Sequence, residues 1–317
     1  MSQLSVRIQT GVLAAALLLA STACTSDAPT AGGATSAVDR VVLVTVDGLR
    51  ADALDSMPTL AALRASALWT DEARTVLPAV TLPAHLSLLT GRDVTTLGIQ
   101  DNAFGESEAL ALVVSGTTPV FRWIDGASDA VIGASLLPPD DLERARTFFG
   151  LRRLTATSLD DDVIIDAAIA TLSAADAPAL LFVHLPEVDL TGHAYGWIDP
   201  ETGALGAEYV AAVRAADASL ERLHAALAPA IAAGEAAFVI TSDHGGGHGL
   251  NCAVGVPPER EHCTAHEDDQ WVPLLIIARD VEPRRLAGVT SIVRVGPTVA
   301  RLLGESSPDW AAESIID

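Results

Sequence analysis

Lysine is missing altogether, so all 19 basic residues are arginine. That excludes Schiff-base chemistry, pyridoxal phosphate anchoring and the phosphate-loop lysine at once. Positive charge as a whole is scarce, with 41 acidic residues against those 19 and a formal charge of −22. Phosphate backbones and anionic lipid surfaces repel such a chain, which excludes a basic grip on a nucleic-acid polymer. If it handles phosphate, it needs another source of positive charge, and bound metal is the obvious one. No internal repeat is evident. What is plentiful is apolar residue, 50% of 317 positions, enough for a sizeable core in a chain longer than the common domain of roughly 100–200 residues.

The longest apolar run near the start, residues 11–20 after Arg7, falls short of the about 20 residues needed to cross a membrane and fits a secretory h-region. It closes on Ser21-Thr22-Ala23-Cys24, which resembles a bacterial lipoprotein signal and implies lipidation of Cys24. Ser21 stands where that pattern usually has Leu, so ordinary cleavage to a soluble exported protein, or an uncleaved anchor, stays open. Residues 1–24 are thus read as a signal segment, 25–38 (rich in Ala, Thr, Ser, Gly and Asp) as a flexible tether, and 39–317 as the folded domain. The expected location is the outer face of the membrane, or outside the cell. In an oxidising compartment Cys252 and Cys263 are expected to pair, closing a loop worth ~3 kcal/mol. Two unrelated thiols are the alternative, and the spacing is too wide for a zinc knuckle.

From Val38 on, short β-branched runs alternate with Ala/Leu-rich stretches of helical period, which predicts an α/β sandwich around a largely parallel sheet. Strands are expected at 41–46, 179–184, 237–241 and 272–278, apolar on both faces as buried parallel strands are. Helices are expected at 58–67, 83–89, 160–174, 207–233 and 298–303. Asp47-Gly48 ends the first strand, Asp189 and His193 follow the second, and Asp243-His244 ends the third. Ligands of open α/β sheets bind outside the carboxyl ends of the strands, so these acids and imidazoles can converge on a metal. Singly each is weak: an Asp-Gly after a strand is commonly a turn, and Asp189/His193 is a spacing also found on solvated helices. Thr81, before Pro83, opens a helix that Gly91 closes. Its hydroxyl is either a plain N-cap or a nucleophile facing free N–H groups and a positive dipole end. The second role needs activation, which metal coordination supplies.

The ordered set Asp47, Thr81-x-Pro83, Asp189-x-x-x-His193, Asp243-His244 and a late His266 before Val272-Pro273 resembles the alkaline phosphatase superfamily. Its wording is most similar to the nucleotide pyrophosphatase/phosphodiesterase family: Val46-Asp47-Gly48-Leu49-Arg50, Thr81-Leu82-Pro83-Ala84-His85, and Asp189-Leu190-Thr191-Gly192-His193-Ala194-Tyr195-Gly196. The resemblance covers nearly the whole expected domain and implies an alkaline-phosphatase-like three-layer sandwich. It further implies that Asp47, Asp243 and His244 hold one Zn²⁺ and Asp189, His193 and His266 a second, other divalent ions fitting the same ligands. Among His244, His248, His262 and His266, the last is preferred because it stands just before the expected final strand. Leu97-Gly98-Ile99-Gln100-Asp101-Asn102 matches a family segment whose Asn donates to a phosphate oxygen, although Leu97 replaces the usual His; Asn102 is otherwise a turn residue. His85 is expected to pack beside the site and His184 to be a satisfied core residue.

The implied activity is hydrolysis of a phosphodiester or pyrophosphate bond in a small, nucleotide-type ester through a phospho-threonine on Thr81. Two divalent ions against three carboxylates leave the inner site at about +1, so even an acidic chain can attract phosphate. A phosphomonoesterase or phosphonoacetate-type hydrolase shares the metal set. The residues that separate these are sought at 104–150, where Phe121, Trp123, Phe148 and Phe149 are either a base platform or core. Sulfatase chemistry needs a Cys/Ser-x-Pro-x-Arg segment, and Thr81 and His85 stand there instead. A surface lipoprotein that merely binds metal is the non-catalytic alternative.

Overall fold

The computed structural model describes residues 36–317 apart from 104 and 138. The expected signal segment, Cys24 and nearly all of the expected tether lie outside the described residues. Among the described residues nine strands form one sheet: β1 (Arg40–Val46), β2 (Leu68–Arg74), β3 (Ser128–Ile132), β4 (Arg153–Ala156), β5 (Leu180–Leu185), β6 (Ala236–Thr241), β7 (Trp271–Ile277), β8 (Arg284–Arg285) and β9 (Thr290–Ser291). Their order is β4-β3-β5-β1-β6-β7-β2-β8, with β9 also on β2. The strands from β4 to β6 are parallel, whereas β7 runs antiparallel to both β6 and β2. The four expected strands are β1, β5, β6 and β7. The unexpected β2 (LWTDEAR) carries Asp71, Glu72 and Arg74, β3 (SDAVI) opens on Ser and Asp and leaves only three apolar residues in a row, and β4 has only four residues, so none presents a long apolar run.

The helices are α1 (Pro58–Leu63), α2 (Thr81–Thr90), α3 (Glu106–Val114), α4 (Leu142–Phe149), α5 (Asp161–Ser173), α6 (Glu187–Tyr195), α7 (Ala207–Ala233), α8 (Glu267–Gln270) and α9 (Val295–Leu302). They cover both faces, as the apolar strands require. On one face Val42, Val44, Val183 and Phe238 pack against Ile164 and Ile165 of α5 and Val213, Leu220 and Leu227 of α7. On the other, Val41, Leu43, Phe182 and Val239 pack against Leu82, Leu86 and Leu89 of α2 and Val295 and Val299 of α9. Each fully buried aliphatic side chain contributes roughly 1.5–3 kcal/mol.

The period of two along a strand carries the second face straight into chemistry. Val41 and Leu43 share a row with Thr45 and then Asp47; Leu180 and Phe182 lead to His184; Ala237 and Val239 lead to Thr241 and Asp243. Thr45 lies in register with both His184 and Thr241. At the carboxyl end of three adjacent strands, the row facing α2 therefore turns from apolar to polar together. Thr81, the first residue of α2, stands at that end.

Candidate metal and catalytic centre

Asp47 follows β1, and Gly48 after it adopts φ +68, a left-handed conformation that glycine tolerates. A side chain there would also collide with Asp189, whose Cα lies 2.9 Å from the Cβ position. This close approach brings α6, with Asp189 and His193 one turn apart, against the end of β1. The Gly48 N–H donates to Asp243 Oδ1 at 3.2 Å, and its carbonyl accepts from Trp197 Nε1 (2.9 Å) and Tyr209 Oη (3.0 Å). After His244 the chain turns away so tightly that a Cβ on Gly245 would lie 1.9 Å from the carbonyl of Asp268. Arg50, buried, holds this turn by donating to the Gly246 carbonyl at 3.1 Å while pairing with Asp52 and Asp268.

His244 Nε2 sits 3.3 Å from Asp47 Oδ1, 3.2 Å from Asp243 Oδ2 and 3.1 Å from Thr81 Oγ1. Asp189 Oδ1 lies 3.6 Å from His193 Nε2 and 3.7 Å from His262 Nε2, and the rings of His244 and His262 stack at 3.7 Å. Asp47, Asp243 and His244 form one group able to hold an ion, and Asp189, His244 and His262 another.

Three independent features fit a cation at each. Asp47 Oδ1, Asp189 Oδ1 and Asp243 Oδ2 are buried without a hydrogen-bond partner, a costly state for carboxylate oxygens. The ring nitrogens on the far side are all anchored to backbone carbonyls: His244 Nδ1 donates to Gly245 O (2.8 Å), His193 Nδ1 to Arg260 O (2.8 Å) and His262 Nδ1 to Ala79 O (2.6 Å). A carbonyl only accepts, so each Nδ1 carries the proton and each Nε2 presents a lone pair to the acids, the tautomer of a metal-ligating histidine. Ligands bound at 2.0–2.1 Å in a tetrahedron stand about 3.3–3.4 Å apart, and the spacings above cluster around that value.

The electrostatics also call for positive charge. Burial pushes Asp47 well above the usual carboxylate range, with Asp243 and Asp189 adding to it. Burial likewise raises Asp189, against the pull of His262 and His193. Burial opposes ionisation of Asp243 too, yet His244 and His85 hold it below the usual range. Burial brings His262 down to about 4 and also lowers His244, so burial disfavours the charged form of these two rings as well as of the acids.

Thr81, Asp47, Asp189, His193, Asp243 and His244 are thus brought together as the sequence predicts; His266 is not. It is the N-cap of α8, its Nδ1 accepting from the Asp268 N–H at 3.2 Å, and its half-exposed ring stacks on His248 at 3.5 Å. His262 occupies the place expected of His266. It adjoins Cys263, which forms the expected disulfide with Cys252 and so fixes one end of the loop that delivers the imidazole. Thr81 is not an N-cap either: Val80 takes that position with no side-chain bond, leaving the Thr81 hydroxyl to face His244. Asn102 is close by, its Oδ1 accepting from the Leu82 N–H at 2.9 Å. The aromatics sought as a platform belong to the core, Phe121 and Phe149 inside it and Trp123 and Phe148 against it. His85 lies beneath the centre, with Nδ1 2.8 Å from the Thr81 carbonyl and Nε2 3.0 Å from Thr45 Oγ1. His184 is buried beside it, Nε2 2.9 Å from Asp47 Oδ2.

The sequence profile of the family "Type I phosphodiesterase / nucleotide pyrophosphatase" matches residues 41–286. Among solved structures, murine ectonucleotide pyrophosphatase / phosphodiesterase 5 superposes with a TM-score of 0.64 at 16% identity, covering 86% of this chain and 97% of that one. An inactive variant of the same mouse protein in complex with AMP gives 0.65 at 15%, covering 87% and 97%. The lipoteichoic acid synthase LtaP from Listeria monocytogenes gives 0.63 at 15%, covering 89% and 76%. At these identities the likeness to solved structures is one of fold. No protein of curated function matches the sequence.

Proposed function

The chain belongs to the type I phosphodiesterase / nucleotide pyrophosphatase family, and from that premise we propose that it is an exported, two-metal hydrolase that cleaves a phosphodiester or pyrophosphate bond of a nucleotide-type ester, with Thr81 as nucleophile. The observation that carries this reading is the Thr81 hydroxyl 3.1 Å from His244 Nε2, at the edge of a nest of partnerless carboxylate oxygens. The AMP complex of the mouse neighbour favours a nucleotide-type substrate, and the disulfide suits an oxidising compartment.

Asp47, Asp243 and His244 would hold one divalent ion, and Asp189, His193 and His262 the other, the last place falling to His262 rather than to His266. Once bound, such ions neutralise the three carboxylates, lower the pKa of oxygen nucleophiles and offset charge on phosphate oxygens. Zinc suits a set of three imidazoles and three carboxylates at these spacings. The chain's own residues do the rest. Thr81, at the first position of α2, attacks phosphorus, and the bond to the leaving oxygen breaks as the bond from Thr81 Oγ1 forms. The helix start presents positive dipole to the phosphoryl oxygens. Asn102 is held by the Leu82 N–H through its Oδ1, so its amide N–H₂ is left to donate to one of them. Water then attacks the phospho-threonine, releasing phosphate monoester and restoring the hydroxyl.

Thr81→Ala is expected to reduce hydrolysis of a p-nitrophenyl nucleotide ester by at least about 10³-fold while two zinc equivalents remain bound. Turnover retained by the variant would remove Thr81 from the reaction. The wild-type protein is expected to prefer that diester over p-nitrophenyl phosphate. The opposite preference would point to a phosphomonoesterase, and zinc bound without turnover of either ester to a metal-binding lipoprotein.

A further inference from the structure

The row of β5 residues facing α2 runs Leu180, Phe182, His184, and the first two are core. His184 is completely buried, and its Nδ1 has no hydrogen-bond partner in the structure. An aliphatic side chain would suit this position better, because a desolvated, half-satisfied imidazole works against folding. Something other than packing accounts for it. Its Nε2 lies 2.9 Å from Asp47 Oδ2. A carboxylate only accepts, so Nε2–H is the donor, and this bond fixes which Asp47 oxygen points where. With Oδ2 engaged, the partnerless Oδ1 is left facing His244 Nε2 at 3.3 Å. The other acid of that group is fixed differently, Asp243 Oδ1 accepting from the Gly48 N–H and from Ser242 Oγ. For Asp47 the support comes from an imidazole at the end of the neighbouring strand, delivered by the register that pairs Thr45 with His184.

We propose that His184 is a positioning residue, which locks the Asp47 carboxylate for the cation beside Thr81 and thereby sets the affinity of that site alone. The proposal rests on the two-metal reading above. Partners of ligating carboxylates typically govern metal affinity by about 10–100-fold, and the bond made here reaches one of the two ligand groups. Gln places its Nε2 close to that of His and still donates, whereas Leu fills the space and donates nothing.

The test is zinc titration of metal-depleted wild type, His184→Leu and His184→Gln against a competing chromogenic chelator, with thermal melts of each metal-free protein. Wild type is expected to bind two ions. His184→Leu is expected to keep one site at wild-type affinity and weaken the other by about 10–100-fold, with a metal-free melting temperature equal to wild type or higher. His184→Gln should recover part of the lost affinity. Two wild-type affinities in His184→Leu would overturn the proposal. So would a fall in both sites together with a lower metal-free melting temperature, which is what a purely structural residue would give, and so would a His184→Leu chain that no longer folds. A wild-type protein that binds no zinc takes down the two-metal reading itself and is recognised before any variant is compared.

Discussion

Two clusters of imidazoles and carboxylates meet around the loop between β6 and β7, and they differ in how far their ligand atoms are already satisfied. The inner one gathers Asp47, Asp189, Asp243, His193, His244 and His262 at the end of the sheet; the outer one gathers His248, His266 and Asp268, whose ligand atoms lie within 4.8 Å of one another, as do those of Asp47/Asp243/His244 and of Asp189/His244/His262. In the inner cluster the facing atoms stand 3.2 to 3.7 Å apart, three acid oxygens have no partner, and every Nδ1 is tied to a carbonyl. In the outer cluster His248 Nε2 and Asp268 Oδ2 are already hydrogen-bonded at 2.7 Å, Arg50 takes the same oxygen at 2.9 Å, and His266 spends its Nδ1 on the start of α8. Residue type and proximity are alike in both; satisfaction is not. A group whose ligand atoms already share a hydrogen bond and an arginine gains less from a metal than one whose acid oxygens have no partner.

The largest effect that would break this comparison comes from swapping alanine into each cluster. His262→Ala is expected to lose one zinc equivalent and lower kcat/KM for a nucleotide diester by about 10²-fold or more. His266→Ala removes a half-exposed cap and is expected to stay within about threefold, since a lost cap costs about 1 kcal/mol of stability and touches no reacting atom. Zinc analysis and steady-state rates on the two purified variants decide it. If His266→Ala were the damaged protein, the inner cluster would be wrongly composed.

That the sequence favoured His266 has a physical cause. Asp47, Thr81, Asp189, His193, Asp243 and His244 each sit within a few residues of a strand or helix end, so local pattern places them. The last histidine rides on a long loop between β6 and β7, and what orients it is non-local: the disulfide at Cys263, the Ala79 carbonyl, and Asp269, which is buried and accepts from the N–H groups of His248, Cys263 and Thr264. No period or spacing along the chain encodes those contacts. Likewise β7 was legible as a strand from its apolar run, but its antiparallel place between β6 and β2 depends on β2, whose Thr-Asp-Glu centre hides it. The place of Trp197 is equally hidden in the sequence. It is wholly buried and touches His193 and His262 edge-on while bonding Gly48, and a lone Trp after a glycine carries no signal of that.

A smaller effect sharpens the comparison by loosening one ligand of the inner cluster without removing it. Cys252–Cys263 closes a separation of 11 residues, a constraint of ~3 kcal/mol on the unfolded chain. Because Cys263 adjoins His262, Cys252→Ser with Cys263→Ser is expected to weaken zinc on the Asp189 side by about tenfold, within the range seen when groups supporting a ligand are lost. The ion beside Thr81 is expected to be held as before. Chelator competition with and without a reductant reads this on the wild type as well. Equal weakening of both ions would mean that the loop supports the whole sheet end rather than one imidazole.

The smallest expected effect asks whether a buried, partnerless carboxylate oxygen is by itself a sign of metal. Asp161, at the start of α5, has such an oxygen in Oδ2, while its Oδ1 accepts from the Glu187 N–H at 3.3 Å. Its nearest charged influence is another acid: burial first, then Glu187, push its carboxyl up to about 8. Asp161 therefore keeps its proton in the folded protein where an unfolded chain, with an ordinary pKa near 3.9, has released it. A folded pKa raised in this way gives stability that is complete below about pH 4 and is lost as pH climbs to about 8, beyond which nothing further changes. Asn keeps the Oδ1 acceptor and cannot ionise. Asp161→Asn should thus melt close to wild type at pH 5 and several degrees above it at pH 8, both measured with chelator present, and its zinc stoichiometry should be unchanged. A melting-temperature difference that is the same at pH 5 and pH 8 would show that Asp161 is ionised inside the fold. It would then be an acid that some cation has to answer, and a partnerless oxygen would regain its standing as a mark of metal.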